Sequence, residues 1–275
     1  MSVIFSLFLK GLLEARWMLG IISASLFGLA WWFVHFASRI EAALKVATRA
    51  RRPAGMLRGL GGSAMDFSTA AIEMSFWTIN TLLVPMVMAI WAISRGSGSV
   101  AGEIEKGTMD LILSRPVARW AYLSSHVAVA VFGLMAIAAS MMAGNLTGAY
   151  FNHLENPLSA LALTRPSLNL IALGWAIFGY TFLVSCADHA RWRPTLIGSV
   201  ATLAGFIALV VSGIPSAEEW KWLEKVSIFK AYNPVEVVTT GATLAFNVGI
   251  LGAVGGVGVI LGFVIFARRD LPAGS

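Results

Sequence analysis

The sequence predicts an all-α, polytopic membrane protein with six transmembrane helices. Three observations predict it. Hydrophobic residues make up 57% of the 275 residues and charged residues only 12%, with a mean hydropathy of +0.77. That charged share is half of the roughly 25% found in soluble domains. Apolar runs of about 20 residues, enough to cross a bilayer, recur along the chain. The densest charged patch, residues 102–119, lies between the second and third of these runs.

The elements follow in order. In residues 1–16, Phe5, Phe8, Leu9, Leu12 and Leu13 keep helical spacing, with Lys10 and Glu14 opposite. This predicts an amphipathic helix in the membrane interface that feeds the first span. Lys10 comes too late for the charged start of a signal peptide. Span one is residues 17–37, with Trp31 and Trp32 near its far end, where aromatic belts belong. A polar loop covers residues 38–70. Its first part, residues 40–50, reads as a helix with Ile40, Leu44 and Ala47 on one side, resting on the outer membrane face. Arg52-Pro53 and Gly61-Gly62 then break the pattern. Span two is residues 71–94, with Pro85 expected to kink it.

Residues 95–121 form the next connection. Span three is residues 122–151, and a loop follows to Pro166. Span four is residues 167–187. A short turn at 188–194 carries Arg191 and Arg193, and span five is residues 195–214. In the loop at 215–243, Ser216 and Glu219 make a capping-box pattern. Trp220, Leu223 and Val226 then share a face, which predicts a second interfacial helix. Span six, residues 244–267, carries Gly252-x-x-x-Gly256 and Gly258-x-x-x-Gly262. The two pairs face different directions and predict close packing on both sides, within one subunit or across a dimer seam. The whole chain reads as one transmembrane domain.

Within residues 102–119, the pattern predicts a short helix over 103–113, an elbow at Ser114 and Arg115, and a new helix starting at Pro116. Ile104, Thr108, Leu111 and Ile112 share one side. Glu103, Lys106 and Asp110 lie on the other. The acidic start disfavours an anionic leaflet and favours a partner protein.

This stretch resembles the ABC-2 family of transporter permeases. Glu103, Glu105, Gly107, Thr108, Asp110, Leu111, Leu113, Pro116 and Arg119 match, while Ile104 stands where many relatives carry another acid. Asn233-Pro234-Val235-Glu236 resembles a motif before the last span, and residues 266–271 resemble the end of the chain. The resemblance implies that residues 95–121 hold a cytoplasmic coupling helix that docks on a separate ABC ATPase subunit. Its contact residues would be Glu103, Ile104, Glu105, Lys106, Gly107, Thr108, Asp110, Leu111, Arg115, Pro116 and Arg119. It further implies a multi-pass exporter subunit in the cell (inner) membrane, with both termini cytoplasmic. The loops at 38–70 and 215–243 would be extracytoplasmic. A second permease copy would complete a homodimer or heterodimer, and ATP and Mg would belong to the partner ATPase.

The residues also exclude chemistry. There is no G-x-x-x-x-G-K-[ST] phosphate loop, no H-E-x-x-H and no G-x-S-x-G. His35, His126, His153 and His189 are scattered, with His35 and His126 expected at opposite membrane faces. No catalytic residue, metal site or cofactor is expected in this chain, and it is not read as an enzyme. The single cysteine, Cys186, excludes an internal disulfide. The net charge of +6 reflects Lys and Arg in loops that meet membrane lipid, and does not indicate nucleic-acid binding. The expected topology places ten Lys and Arg on each side, because residues 38–70 are basic, so charge alone does not orient the chain. Asn80, Asn145, Tyr180, Ser185 and Asn247 are polar groups at membrane depth. They read either as a substrate path or as interhelical hydrogen bonding. The alternative function is an ATPase-driven scaffold or assembly factor that passes force to an outer partner through residues 38–70.

Overall fold

A computed structural model describes residues 3–49, 83–109, 118–152, 160–214, 218–239 and 243–269. Among them every regular element is helical. The helices are α1 (Val3–Arg49), α2 (Leu83–Gly98), α3 (Ala101–Glu105), α4 (Arg119–Phe151), α5 (Ala160–Ala187), α6 (Trp192–Ser212), α7 (Leu223–Val226), α8 (Pro234–Thr239) and α9 (Leu244–Arg268). Five are long and apolar enough to cross a membrane: the Ile4–Phe36 part of α1, then α4, α5, α6 and α9. The described part of α2 is a shorter apolar helix of 16 residues. Residues 71–82, expected as the first half of its span, lie outside the described residues. Pro85, expected to kink that span, is the third residue of the described helix.

The first two expected elements are not separate. No break falls at residues 16–17, and α1 runs 47 residues without interruption. At 1.5 Å per residue it is about 70 Å long, more than twice a hydrocarbon core. The expected interfacial helix at 1–16 and the helix at 40–50 are the two ends of this one rod. The reason is that α1 packs lengthwise on α4. Phe8 meets Phe132 edge to face at 6.0 Å. A Cβ on Gly11 would touch Val129, and Cβ atoms on Gly144 and Gly148 would meet Phe27 and Val34. These contacts rise together along both chains, so α1 and α4 are parallel.

The other pairings follow the same way. In α2 and α5, Gly96 faces Thr181 and Phe182, and Gly174 faces Met88, so the two run parallel. Trp175 faces Gly255, and Phe182 and Cys186 face Gly262, so α5 and α9 are parallel too. Trp91 of α2 fills a slot over Gly133 of α4 and donates its Nε1–H to the Ala130 carbonyl at 3.2 Å. Tyr122 lies beside Phe266, which sets α4 antiparallel to α9. With α2 counted between α1 and α4, successive helices thus alternate in direction. Val3, α3, the α5–α6 turn and Arg269 all lie toward one end of the bundle. His35 lies at the other, bonded through Nδ1 to the Asn152 side chain at 2.7 Å. His126 sits 26 residues earlier on α4, about 39 Å away along the axis.

Burial ranks the helices. Two-thirds of the apolar window of α5 is inside the bundle, against 11% for α6. α5 starts at Ala160 and takes Pro166 into its second turn, earlier than expected. The loop at 215–243 also differs from its expectation. Ser216 lies outside the described residues, and the predicted single helix is a 3-10 turn at Glu218–Trp220 followed by the four-residue α7. Trp220, Trp222 and Val226 are all exposed. A deeper anchor holds this region. Ser227 donates to the Gly205 carbonyl at 2.6 Å, and Phe229 is buried against Phe206. Asn233 then caps α8: the Glu236 N–H donates to its Oδ1 at 3.3 Å, with Pro234 as the first helical residue.

Of the glycine pairs in α9, only one is packed. Gly258 and Gly262 face α5, whereas a Cβ on Gly252 or Gly256 would meet nothing within 4 Å. Close packing on both sides is therefore not found within the described chain.

Candidate functional site at one end of the bundle

The expected helix at 103–113 is shorter in the structure. α3 ends at Glu105, and Gly107 takes φ +69°, a left-handed conformation. The Gly107 N–H donates to the Ile104 carbonyl at 3.0 Å, and the Thr108 N–H donates to the Glu103 carbonyl at 3.1 Å. This pair of bonds is a Schellman stop, which the chain reaches most cheaply with glycine. A Cβ at Gly107 would meet nothing within 4 Å, so glycine is needed here for its conformation and not for space. Gly107→Ala should cost about 1–2 kcal/mol, the usual cost of a left-handed alanine. Gly107→Asn should recover part of it, because asparagine tolerates that region. Equal thermal unfolding midpoints for all three proteins in detergent would contradict this.

The turn changes which way side chains face. Glu103, expected on the polar side, is 7% exposed. Its Oε2 accepts from the Thr108 hydroxyl at 2.7 Å, and its Oε1 faces Lys106 Nζ at 3.4 Å. Burial pushes its carboxyl up, but the Thr108 hydrogen bond and the Lys106 charge outweigh this and leave it below 4.5. Ile104 packs against the core, and Met109 is buried. Glu105, Lys106 and Gly107 form the exposed tip. Asp110, Leu111, Arg115 and Pro116 lie outside the described residues.

A five-residue helix is far below the length that is stable alone, so α3 is held by its neighbours. Ser185, fully buried near the end of α5, accepts from the Val100 and Ala101 N–H groups at 3.3 and 3.0 Å. Its own hydroxyl donates to the Ser97 carbonyl at 3.1 Å. It thus satisfies first-turn donors that no α3 side chain caps. The Tyr122 hydroxyl donates to the Ser99 carbonyl at 2.6 Å. On the other side of α3, Glu105 Oε2 accepts from the Arg191 N–H at 2.6 Å, where α6 begins. The Arg191 side chain lies across α3, with Cδ 3.3 Å from where a Gly102 Cβ would sit.

Two arginines then tie helix ends together. Arg119 Nη1 donates to the Phe266 and Arg269 carbonyls at 3.2 and 2.8 Å, at the C-terminus of α9. Arg269 Nη1 donates to the Cys186 and Asp188 carbonyls at 2.9 and 3.0 Å, at the C-terminus of α5. Cations at helix C-termini complement both the free carbonyls and the macrodipole. Arg269 was legible only as part of the closing motif, and no sequence signal pointed to its partner.

The remaining polar residues do not gather. Tyr180 pairs its hydroxyl with Thr202 of α6. Asn145 donates to the Met141 carbonyl of its own helix at 3.2 Å. Asn247 is buried near the start of α9, and Ser185 belongs to the joint just described. Asn80 lies outside the described residues. Among the described residues no three His, Cys, Asp or Glu side chains come together as a metal site.

The sequence model of a family described as "ABC-2 family transporter protein" matches residues 45–271, most of the chain. No curated protein matches it.

Proposed function

Because the chain belongs to the ABC-2 family of transporter proteins, a multi-pass membrane component of an ABC transporter, we propose that it is the permease of an exporter driven by a separate ATPase subunit. The α3 tip is the docking point. One observation carries this reading: Glu105, Lys106 and Gly107 project from the bundle end on a turn whose base is buried and hydrogen-bonded on several sides. A rigid exposed knob with unlike charges suits a protein partner, since complementary charge sets partner choice more than it stabilises the bearer's own fold. This end, where Val3 and Arg269 lie, is cytoplasmic, as are both termini, and the ATPase supplies ATP and Mg. A second permease copy completes the assembly. The catalytic chemistry is the partner's.

One modification tests side and docking together. Lys106 is exposed, and Cys186 is buried. Lys106→Cys should react with a large PEG maleimide in inverted membrane vesicles and not in right-side-out spheroplasts. The modified chain should lose most of the ABC ATPase subunit that co-purifies with the unmodified one. Labelling from the outer side, or full ATPase recovery after modification, would overturn the reading.

A further inference from the structure

We infer that the end of α5 and the residue after it, Ser185 to Asp188, form the pivot through which movement of the described ends of the α2–α4 connecting segment, 99–109 and 118–119, reaches the spans. The inference rests on the docking role proposed above. Both ends of that segment converge on this turn. At the upstream end Ser185 Oγ holds Ser97, Val100 and Ala101, and Glu105 holds the Arg191 N–H just beyond the turn. At the downstream end Arg119 holds the C-terminus of α9, and Arg269 there holds the Cys186 and Asp188 carbonyls. A push on α3 is therefore delivered to α5 as well as to α2 and α4, its covalent neighbours.

α5 is suited to receive it. It is the most buried long helix and meets α9 at backbone contact, where a Cβ on Gly179 would lie 2.4 Å from the Gly255 carbonyl oxygen. It also holds α6 through Thr181 at Gly198 and Tyr180 at Thr202. α5, α6 and α9 form one packed group. α1 and α4, packed along their length, form another. The two groups meet mid-span, where Leu134 of α4 lies against Gly174 of α5, and at one end, where Arg119 and Tyr122 reach Phe266. Packed groups of this kind move by sliding or hinging as units. Ser185 and Arg269 are positioning residues: they touch neither ATP nor cargo and set how α3 is fastened.

Spin labels at Tyr150 and Ile214, both exposed at the far ends of α4 and α6, report the separation of the two groups. The sample is the full complex with the co-purified ATPase, measured by double electron–electron resonance with and without ATP and Mg. The otherwise unmodified protein should show an ATP-dependent shift of the distance distribution. Ser185→Ala should reduce that shift at least twofold while the ATPase still co-purifies. Arg269→Gln, at the edge of the fold, should do the same and covers a failure of Ser185→Ala to fold. A full shift in both variants overturns the pivot. So does the absence of any shift with the ATPase bound, or loss of ATPase binding in both variants, since the two residues lie behind the docking tip. If the chain binds no ATPase at all, the proposed function fails, and the pivot with it.

Discussion

Replacing Glu103 by lysine should dismantle α3 and its turn. Only about a tenth of the side chain is exposed, and the carboxylate holds the Thr108 hydroxyl and the Lys106 ammonium. The substitution removes both partners and places a second cation beside Lys106. Lys106 is exposed and keeps its water, so the cost, about 1–3 kcal/mol, comes from leaving the Thr108 hydroxyl without its acceptor and from putting an ammonium in a largely buried position. Hydrogen exchange should show the Ile104 and Thr108 amides losing protection, while amides in the middle of α5 keep theirs. Glu103→Gln keeps an acceptor for Thr108 and should cost only about 1 kcal/mol. Wild-type protection in Glu103→Lys would show that the carboxylate does not hold the turn. The pH dependence has a definite sign. The folded carboxyl lies below its ordinary 4.5, so the ionised form favours the fold. That contribution is complete above about pH 4.5 and fades as pH falls through the lower folded value.

Gly179→Val should separate α5 from α9. A Cβ there would lie 2.4 Å from the Gly255 carbonyl oxygen and 2.6 Å from its Cα, and backbone cannot move aside as a side chain can. Overpacking usually costs 1–3 kcal/mol, and a backbone collision belongs at about the upper limit. The Trp175 Nε1 bond to the Gly252 carbonyl, 3.3 Å long, should break, and tryptophan emission should change with the unfolding midpoint. Gly256→Val supplies the control, because its Cβ would enter open space. Equal midpoints for both variants would refute the backbone contact. A loss confined to Gly256→Val would place the tight seam on the opposite face of α9.

The difference between those two glycines shows what a pattern can and cannot carry. Both G-x-x-x-G pairs are equally visible in sequence, because spacing reports which residues share a face and not what the face meets. Glu103 makes the same point. A helical wheel through residue 113 puts it on the polar side, but the helix ends at Glu105, eight residues early, and the turn at Gly107 brings Thr108 back onto the carboxylate. The wheel failed because a left-handed residue resets the phase. Likewise the polar start of α1 reads as an interfacial element, yet Phe8 and Gly11 pack on α4 and keep the rod continuous.

The sequence by itself determined the class of the molecule, its membrane setting and its family. Those follow from composition, from apolar runs of spanning length, and from a charged motif between two of them. These signals are local or additive, so no fold is needed to read them. Only the tertiary structure decided that Ser185 caps α3, that Arg119 and Arg269 fasten helix ends, and that α5 is the most enclosed span. Each of these rests on partners far apart in the chain, up to 150 residues for Arg119 and the Arg269 carbonyl. A backbone carbonyl or N–H left over at a helix end is identical at every position. Nothing in residue type says which distant side chain will reach it until the helices have packed.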